Sequence, residues 1–289
     1  MSAGTVLPVW SPFWSIGFHR ALLGLVHAEL AATGLRHSFD AAGTATVRAS
    51  GRDTLLDLRA LTHAVAARPL REWPDLVADE VTRHVAAAQA AARFCAQPPS
   101  AGDAVGLLAV TLCADTTPRP GRRVLAEGLA ADLAYDLPTG VTAVPEQHLA
   151  SWGDDPDGLW AAATNNTRIR VRAVLAQSGQ QYGSYDVVAH PSPFTASVVL
   201  CMDELAGPVT PYGVVFGAPS RCELVAHVVT APDPAAEALR DLPDGIRRRH
   251  ARVAAPLSPR LYCWRDGQVT AVPPGADAAE LTGDLVRTP

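Results

Sequence analysis

The fold class is decided by residues 182–229, which read YGSYDVVAHPSPFTASVVLCMDELAGPVTPYGVVFGAPSRCELVAHVV. Within them, Tyr185–Ala189 is short and rich in β-formers, and the prolines that follow end it because proline lacks a backbone N–H and disfavours αR in the residue before it. Phe194–Leu205 then predicts a helix, while Tyr212–Gly217 and Leu224–Val229 predict strands on either side of a Pro-Ser-Arg turn. This order of strand, helix, strand, turn and strand favours an α+β fold over a doubly wound parallel sheet.

The order of elements in the rest of the chain predicts the same class. Helices are expected at 12–32, 55–67, 73–94, 146–152 and 156–166, and strands at 36–39, 44–49, 105–112, 129–137 and 167–174. Residues 97–102, QPPSAG, form the clearest internal boundary. We therefore expect an α+β protein of two lobes, with helices packed against an antiparallel or mixed sheet. The lobes are residues 1–97 and 103–272, and residues 273–289 form a tail.

The composition excludes several classes of enzyme. The chain has 289 residues, 48% of them apolar, and a net charge of −5, so it can bury a large core and offers no basic field to a nucleic acid. All 24 basic residues are arginine. Without lysine there is no Schiff base to a substrate, no Walker A loop and no protein-kinase catalytic pair. The dinucleotide, zincin and hydrolase-elbow motifs are absent as well, so no cofactor is predicted.

The cysteines and the apolar runs predict a location. The five cysteines are widely spaced without a C-x-x-C pair, and an odd number argues against a complete set of disulfides. No apolar run approaches the roughly 20 residues that a membrane span needs, and the apolar N-terminal stretch lacks the basic start of a signal peptide. The lysine-free, arginine-rich composition indicates a high-GC bacterial genome. We therefore predict a bacterial cytoplasmic protein that binds neither membranes nor nucleic acid.

The histidines give no metal-binding motif along the chain. His19 and His27 are eight residues apart on the first predicted helix, whereas two metal ligands on a helix are typically spaced i, i+4. Both are interpreted as surface or core histidines, and no metal is predicted.

Two segments that are rich in arginine are candidate anion sites. The loop 116–123 holds three arginines around two prolines. The predicted strand 167–174 alternates arginine with mostly apolar residues, which would place three guanidiniums on one face. Each segment is interpreted either as a surface open to water or as a grip for a carboxylate or phosphate.

A polar site is predicted around the Pro-Ser-Arg turn. Arg221 is the candidate anion anchor, and Ser220, Asp186 and Asn165 are the side chains that we expect to converge with it. Arginine suits this task because its planar fork matches a carboxylate or a phosphate. The alternative interpretation is structural: Ser220 caps the turn, and Arg221 pairs with Asp136 or Asp186.

The N-terminus carries the densest aromatic cluster in a chain with only 6% aromatic residues. Its members are Trp10, Phe13 and Trp14. We expect these side chains to pack under the following helix, and the alternative is that they dock a protein partner or a second copy of the chain.

Short motifs at several points of the chain form a pattern. They are Tyr135-Asp136-Leu137-Pro138, Leu149-Ala150-Ser151-Trp152-Gly153, an alanine-rich segment that ends at Asn165 or Asn166, and Pro219-Ser220-Arg221. This pattern resembles the YtpQ-like family of uncharacterised bacterial proteins, whose members usually have an aspartate where this chain has Cys222 followed by Glu223. The family has no established activity, so the resemblance implies an antiparallel α+β fold and adds no catalytic residue.

Two classes of function stay open. The first is a non-catalytic binding or accessory protein, which holds a protein partner, a second copy of itself or an anionic small molecule. The second is a small-molecule or peptide-modifying enzyme with a polar site near Asp186, Ser220 and Arg221, where a Ser-His-Asp arrangement with His190 or His227 can be written. The missing motifs favour the first class.

Overall fold

The structure, a computed structural model, describes residues 15–39, 43–49, 52–138, 140–153, 155–178, 180–182, 184–207, 213–253 and 256–273. These residues form two compact units. Apart from a few residues at 138–140 and 252–254, the first unit ends at Gln97 and the second begins at Pro98. The strand registers described in both units are antiparallel. The predicted α+β class is confirmed.

Within the described residues, the first unit contains three α-helices and a three-stranded sheet with the strand order β1-β2-β3. Its elements are α1 (Ile16–Ala32), β1 (Arg36–Phe39), β2 (Thr44–Ala49), β3 (Arg52–Asp57), α2 (Leu58–Ala66) and α3 (Trp73–Ala96). Side chains alternate between the two faces of a strand, so Ala45 and Val47 on β2 point the same way. They share one core with the apolar stripe of α1, which is Leu22, Val26 and Leu30.

The predicted helix at 55–67 is wrong in its first turn. Residues 55–57 belong to β3, which pairs with β2 over six residues, and α2 starts only at Leu58. Leu56 and Leu58 are both buried in the same core, so the apolar pattern fits either element. Backbone pairing with β2 places residues 55–57 in a strand. The predicted hairpin at 36–49 and the helix at 73–94 are confirmed.

The second unit holds two sheets. Its elements are α4 (Ala101–Val105), β4 (Leu108–Cys113), β5 (Arg122–Ala126), β6 (Leu129–Leu137), β7 (Gly140–Ala143), α5 (Glu146–Ser151), α6 (Pro156–Leu175), β8 (Gln180–Tyr182), β9 (Tyr185–Ala189), α7 (Met202–Ala206), β10 (Val214–Ser220), β11 (Glu223–Val228), α8 (Pro232–His250), β12 (Tyr262–Arg265) and β13 (Gln268–Ala271). One sheet has the order β4-β6-β5 with β7 beside β6, and the other has the order β13-β12-β10-β11-β9-β8.

The central stretch 182–229 folds in the predicted order. It supplies β9, a helical segment, β10 and β11, and β9 pairs with β11 rather than with β10. The predicted helix at 194–205 is a 3-10 segment, Ala196–Cys201, that runs into α7. A register shift in β10 beside Pro219 brings the strand to the turn.

The predicted strand at 167–174 is wrong, because these residues lie inside the long helix α6. This helix begins at Asp155, whose carboxylate accepts a hydrogen bond from the Gly158 N–H (2.9 Å). Ile169, which a strand would bury opposite its arginines, is 60% exposed. The buried residues recur every three or four positions, which is the period of a helix: they are Trp160, Ala163, Thr167, Val171 and Val174.

Helix α8 packs on one face of the six-stranded sheet. Gly217 on β10 permits this approach, since a Cβ atom there would lie 2.3 Å from Cδ1 of Ile246 on α8. Val215, Val225 and Leu242 join the same core. Among the helices that the structure describes, none has both the length and the apolar character needed to cross a membrane.

Candidate functional site

Side chains from neighbouring elements close the free edge of β4. Of the strands that the structure describes, β4 pairs with β6 alone, and its other edge presents backbone groups that need partners. Thr167 on α6 accepts a hydrogen bond from the Val110 N–H (2.7 Å), and Ser197 donates one to the Val110 carbonyl (3.1 Å). Asn166 donates to the Leu108 carbonyl (2.9 Å). These hydrogen bonds hold the free edge of β4 in a fixed position.

Arg221 completes this edge at the far end of β4. Its Nε donates to the Leu112 carbonyl (3.1 Å). The turn that carries it is fixed because Oγ of Ser220 accepts a hydrogen bond from the Cys222 N–H (3.2 Å). Arg221 is exposed, and within the described residues its two terminal nitrogens make no hydrogen bond. One side of the guanidinium is therefore anchored and the other side is open.

The structural interpretation of the turn is confirmed for Ser220 but not for Arg221. Asp136, one expected partner, instead accepts a hydrogen bond from Nε of Arg170 (2.5 Å). Asp186, the other, is exposed on β9 and forms no ion pair with Arg221 in the part of the chain that the structure describes. The anchor of Arg221 is a backbone carbonyl, and none of the described carboxylates forms an ion pair with its guanidinium.

A buried ion pair lies on one face of the β4-β6-β5 sheet. Asp132 on β6 stands in register with Thr111 on β4 and Arg122 on β5. Arg122 donates from Nε to Oδ1 (2.6 Å) and from Nη2 to Oδ2 (2.8 Å), and Arg119 donates from Nη2 to Oδ2 (2.6 Å). The side chains of Arg122 and Asp132 are only 3% and 7% exposed. We call Thr111, Cys113, Arg119, Arg122 and Asp132 the Asp132 cluster.

Electrostatic effects connect Arg221 with the Asp132 cluster. Burial acts to raise the pKa of Asp132, but the hydrogen bonds from Arg122 and Arg119 outweigh it and hold this pKa below its ordinary value. Burial and then the charge of Asp132 raise the pKa of the Cys113 thiol to about 11, although the charges of Arg122 and Arg221 act in the opposite direction. Arg221, which is bonded to the carbonyl of Leu112 next to Cys113, therefore lies beside the cluster.

One hydroxyl of the Asp132 cluster lacks a partner. Thr111 is 4% exposed, and among the described residues its Oγ1 makes no hydrogen bond. Such groups are rare, since a buried hydroxyl that lacks a partner costs about 1–3 kcal/mol of stability. A bound water or ligand at this hydroxyl would supply the missing bond.

Two of the three predicted anion segments therefore come together. The loop 116–123 supplies Arg119 and Arg122, and the central turn supplies Arg221. The third segment, 167–174, does not join them: the guanidiniums of α6 bond to carboxylates elsewhere in the second unit. These bonds are Arg168 to Asp203 and Glu204, Arg172 to Glu204, and Arg170 to Asp136.

The other predicted site residues lie apart from this group. Asn165 is exposed on α6, and it is the neighbouring Asn166 that bonds to β4. Asp186 stands opposite Ala226 on β11, and in the described part of the chain its side chain forms no hydrogen bond or ion pair with Ser220 or Arg221. Asp132 was missed by sequence reasoning, although a carboxylate inside the apolar strand LAADLAYDL is a signal of a buried pair.

The Ser-His-Asp arrangement is not formed among the described residues. The Ser220 hydroxyl is bonded to the turn. His190 Nδ1 accepts from the Ser192 N–H (3.0 Å), and His227 Nδ1 lies 2.6 Å from the Ser184 carbonyl. Among the described residues, neither histidine forms a hydrogen bond or an ion pair with Ser220 or a carboxylate, so neither is placed there as a general base for the serine.

The thiols are no better placed for nucleophilic chemistry. Burial raises the pKa of Cys201 to about 11 and also raises the pKa of Cys263, and a thiol with a raised pKa supplies little thiolate. Cys222 is exposed at the turn. In the described residues no group of three or more His, Cys, Asp or Glu side chains is arranged to hold a metal ion.

The predicted docking residues Trp10, Phe13 and Trp14 lie outside the described residues, so both interpretations of that cluster stay predictions. Comparisons with protein-family models, with curated proteins and with solved structures found no match. Function is therefore inferred from the arrangement of the side chains in the second unit.

Proposed function

We propose that this chain is a non-catalytic binding protein whose ligand is an anionic small molecule, a carboxylate or a phosphate, held by Arg221 beside the Asp132 cluster. One observation carries the proposal. Nε of Arg221 is anchored on the backbone of β4, while the residue as a whole is exposed and its terminal nitrogens, in the described residues, make no hydrogen bond. A guanidinium held in this way offers two parallel N–H donors and loses less entropy on binding.

The charges around Arg221 favour an anion. Asp132 accepts hydrogen bonds from Arg119 and Arg122, and Asp115 forms an ion pair with Nη1 of Arg122 (2.6 Å). With Arg221, these groups are three arginines and two aspartates, which leaves one net positive charge. Arg119 is 38% exposed and uses only Nη2 on Asp132, so its remaining donors are available as well. A singly charged ligand would neutralise the group.

Among the described residues, no contact favours the alternative, a small-molecule or peptide-modifying enzyme with a site near Asp186, Ser220 and Arg221. A modifying enzyme of this type needs a nucleophile with a base beside it. The hydroxyl of Ser220 is already engaged in the turn. We therefore place binding before catalysis.

A bacterial cytoplasmic location is part of the proposal. All five cysteines are free, which fits a reducing compartment. Membership of the YtpQ-like family stays a prediction and adds no activity. The aromatic N-terminus stays a candidate for docking a protein partner or a second copy of the chain.

Isothermal titration calorimetry with inorganic phosphate and with succinate tests the proposal. The unmodified protein should bind at least one of the two anions with a stoichiometry of one. Arg221→Ala should weaken that binding about 10- to 100-fold, because it removes a charge-assisted contact of about 1.5–3 kcal/mol. Arg221→Lys should recover only part of the affinity, since an ammonium keeps the charge but not the fork.

The matched control is Arg248→Ala. Arg248 is exposed on α8 and, in the described residues, makes no hydrogen bond or ion pair, so its loss should leave the affinity unchanged. Circular dichroism of each variant shows that it is folded. If neither anion binds, or if both alanine variants bind as tightly as the unmodified protein, the proposal is wrong.

A further inference from the structure

Two histidines meet on the surface of the first unit. His27 lies on α1 and is exposed, and His37 lies on β1 and is half-buried. Nε2 of His37 is 2.9 Å from Nδ1 of His27. The ring centroids are 4.9 Å apart and the ring planes are inclined by 59°, so the rings approach through their nitrogen-bearing edges rather than face to face.

The tautomer of His37 follows from its other nitrogen. Nδ1 of His37 lies 3.1 Å from the carbonyl oxygen of Leu35. A carbonyl only accepts hydrogen bonds, so Nδ1 carries the proton and Nε2 accepts a hydrogen bond from Nδ1–H of His27. A metal ion bound between these two nitrogens would replace this hydrogen bond, with His27 in its other tautomer. Metal-binding histidines are typically oriented in the same way, with one ring nitrogen donating to a backbone carbonyl and the other free to bind the ion.

The segment that connects His27 with His37 is short, and hydrogen bonds within it fix its conformation. The hydroxyl of Thr33 donates to the Leu30 carbonyl (2.6 Å), and the Leu35 N–H donates to the same hydroxyl (3.4 Å). Leu30 itself is fully buried in the core. This connection holds the end of α1 against the start of β1, so the two imidazoles are positioned without a ligand.

The separation of the two nitrogens selects a coordination geometry. A divalent metal binds an imidazole nitrogen at about 2.0–2.1 Å. With nitrogens 2.9 Å apart, the angle at the metal is about 90°, which is the angle between neighbouring ligands in square-planar or octahedral coordination. A tetrahedral ion would need the nitrogens about 3.3 Å apart. Copper(II) and nickel(II) prefer tetragonal nitrogen sites, and copper(II) binds most tightly in the divalent series.

We infer that His27 and His37 form a surface binding site for a divalent transition metal ion of tetragonal preference, copper(II) before nickel(II). The described residues place no third His, Cys, Asp or Glu side chain with this pair, so water completes the coordination. The ring of Phe39, whose centroid is 5.7 Å from that of His37 and 6.4 Å from that of His27, borders the pair on one side. Sequence spacing did not reveal this site because its ligands come from a helix and a strand.

Metal titrations of the full chain test the inference. Copper(II) titrated into the protein, followed by calorimetry and by electron paramagnetic resonance, should show one equivalent bound through two nitrogens. His27→Gln and His37→Gln should each weaken that equivalent by at least tenfold and remove the two-nitrogen signature. His63→Gln is the matched control, since His63 is an exposed histidine on α2, and it should bind copper(II) as the unmodified protein does.

Two outcomes overturn the inference. If His37→Gln binds copper(II) as tightly as the unmodified protein, the pair is not the site. If zinc(II) binds more tightly than nickel(II), the coordination is not tetragonal. His27 is exposed, so His27→Gln is expected to fold, and circular dichroism of all three variants checks this. The anion titrations of Arg221→Ala are independent of this result because the two sites share no residue.

Discussion

Replacement of Asp132 by asparagine should destabilise the β4-β6-β5 sheet by about 3 kcal/mol. The side chains of Asp132 and Arg122 are 7% and 3% exposed, and removal of one partner from a buried ion pair costs about 3–5 kcal/mol because it leaves a buried charge unpaired. We expect the lower end of this range, since Arg122 keeps its bonds to Asp115 and to the Thr117 carbonyl.

Hydrogen exchange of the β4 and β6 amides measures this change directly, because it reports the free energy of opening for these strands. A loss of about 3 kcal/mol lowers their protection about 100-fold. The control is Asp157→Asn, which breaks the ion pair between Arg123 and Asp157, whose side chains are 50% and 89% exposed. That pair is worth about 0–1 kcal/mol. Equal losses of protection in the two variants would refute the reasoning.

The stability that Asp132 contributes should depend on pH in a defined direction. The folded pKa of Asp132 is below its ordinary value of 3.8, so its carboxylate stabilises the fold fully above the unfolded pKa and loses that effect as the pH falls through the folded pKa. The difference in stability between the unmodified protein and Asp132→Asn should therefore be constant from pH 7 to about pH 5 and shrink below about pH 4. A difference that grows in acid contradicts the assigned direction.

Three further changes have defined outcomes. Thr111→Val should stabilise the ligand-free protein by about 1 kcal/mol, because it removes a buried hydroxyl that has no partner among the described residues, whereas Thr167→Val should destabilise it by about 1–3 kcal/mol. Urea unfolding measures both changes in the free energy of unfolding, and changes of the same sign would contradict the assignment. Iodoacetamide at pH 8 should alkylate exposed Cys222 before Cys113 and Cys201, whose pKa burial raises to about 11. Peptide mass spectrometry follows the order of alkylation, and early alkylation of either buried thiol contradicts the prediction. Gly217→Ala should lower stability by about 1–3 kcal/mol because its Cβ meets α8, while Gly102→Ala, which meets open space, should not; equal unfolding midpoints would refute the packing argument.

Local sequence predicted most of the fold because most elements depend on near neighbours. The hairpin at 36–49 and the strands on either side of the Pro-Ser-Arg turn follow from turn chemistry and alternation. Helix α6 was partly mistaken for a strand because alternating arginines fit both periods when read alone. Its buried residues from Trp160 to Val174 recur at helical spacing, and the guanidiniums of Arg168 and Arg172 reach the carboxylates of Asp203 and Glu204 more than 30 positions away. No local pattern contains that information.

The candidate site was predictable in its residue types but not in its partners. The arginine-bearing loop and Arg221 were both candidates for anion binding, and the structure places Arg221 on the carbonyl of Leu112, next to Cys113 of the Asp132 cluster. The anchor of Arg221 is a carbonyl 109 positions earlier in the chain, and a backbone acceptor has no signature in sequence. The pair of His27 and His37 was hidden for the same reason, since contact between a helix and a strand is a property of packing.

The structural and the binding roles of Arg221 are compatible because its guanidinium has donors on separate nitrogens. Nε serves the Leu112 carbonyl, which leaves the four N–H donors of the two terminal nitrogens for a ligand. A lysine carries all three donors on one nitrogen and has to share them between the carbonyl and the anion. Arg221→Lys should therefore weaken anion binding while it keeps the charge near Cys113. If it binds phosphate or succinate as tightly as arginine does, positive charge alone is sufficient and the fork of Arg221 is not what selects the ligand.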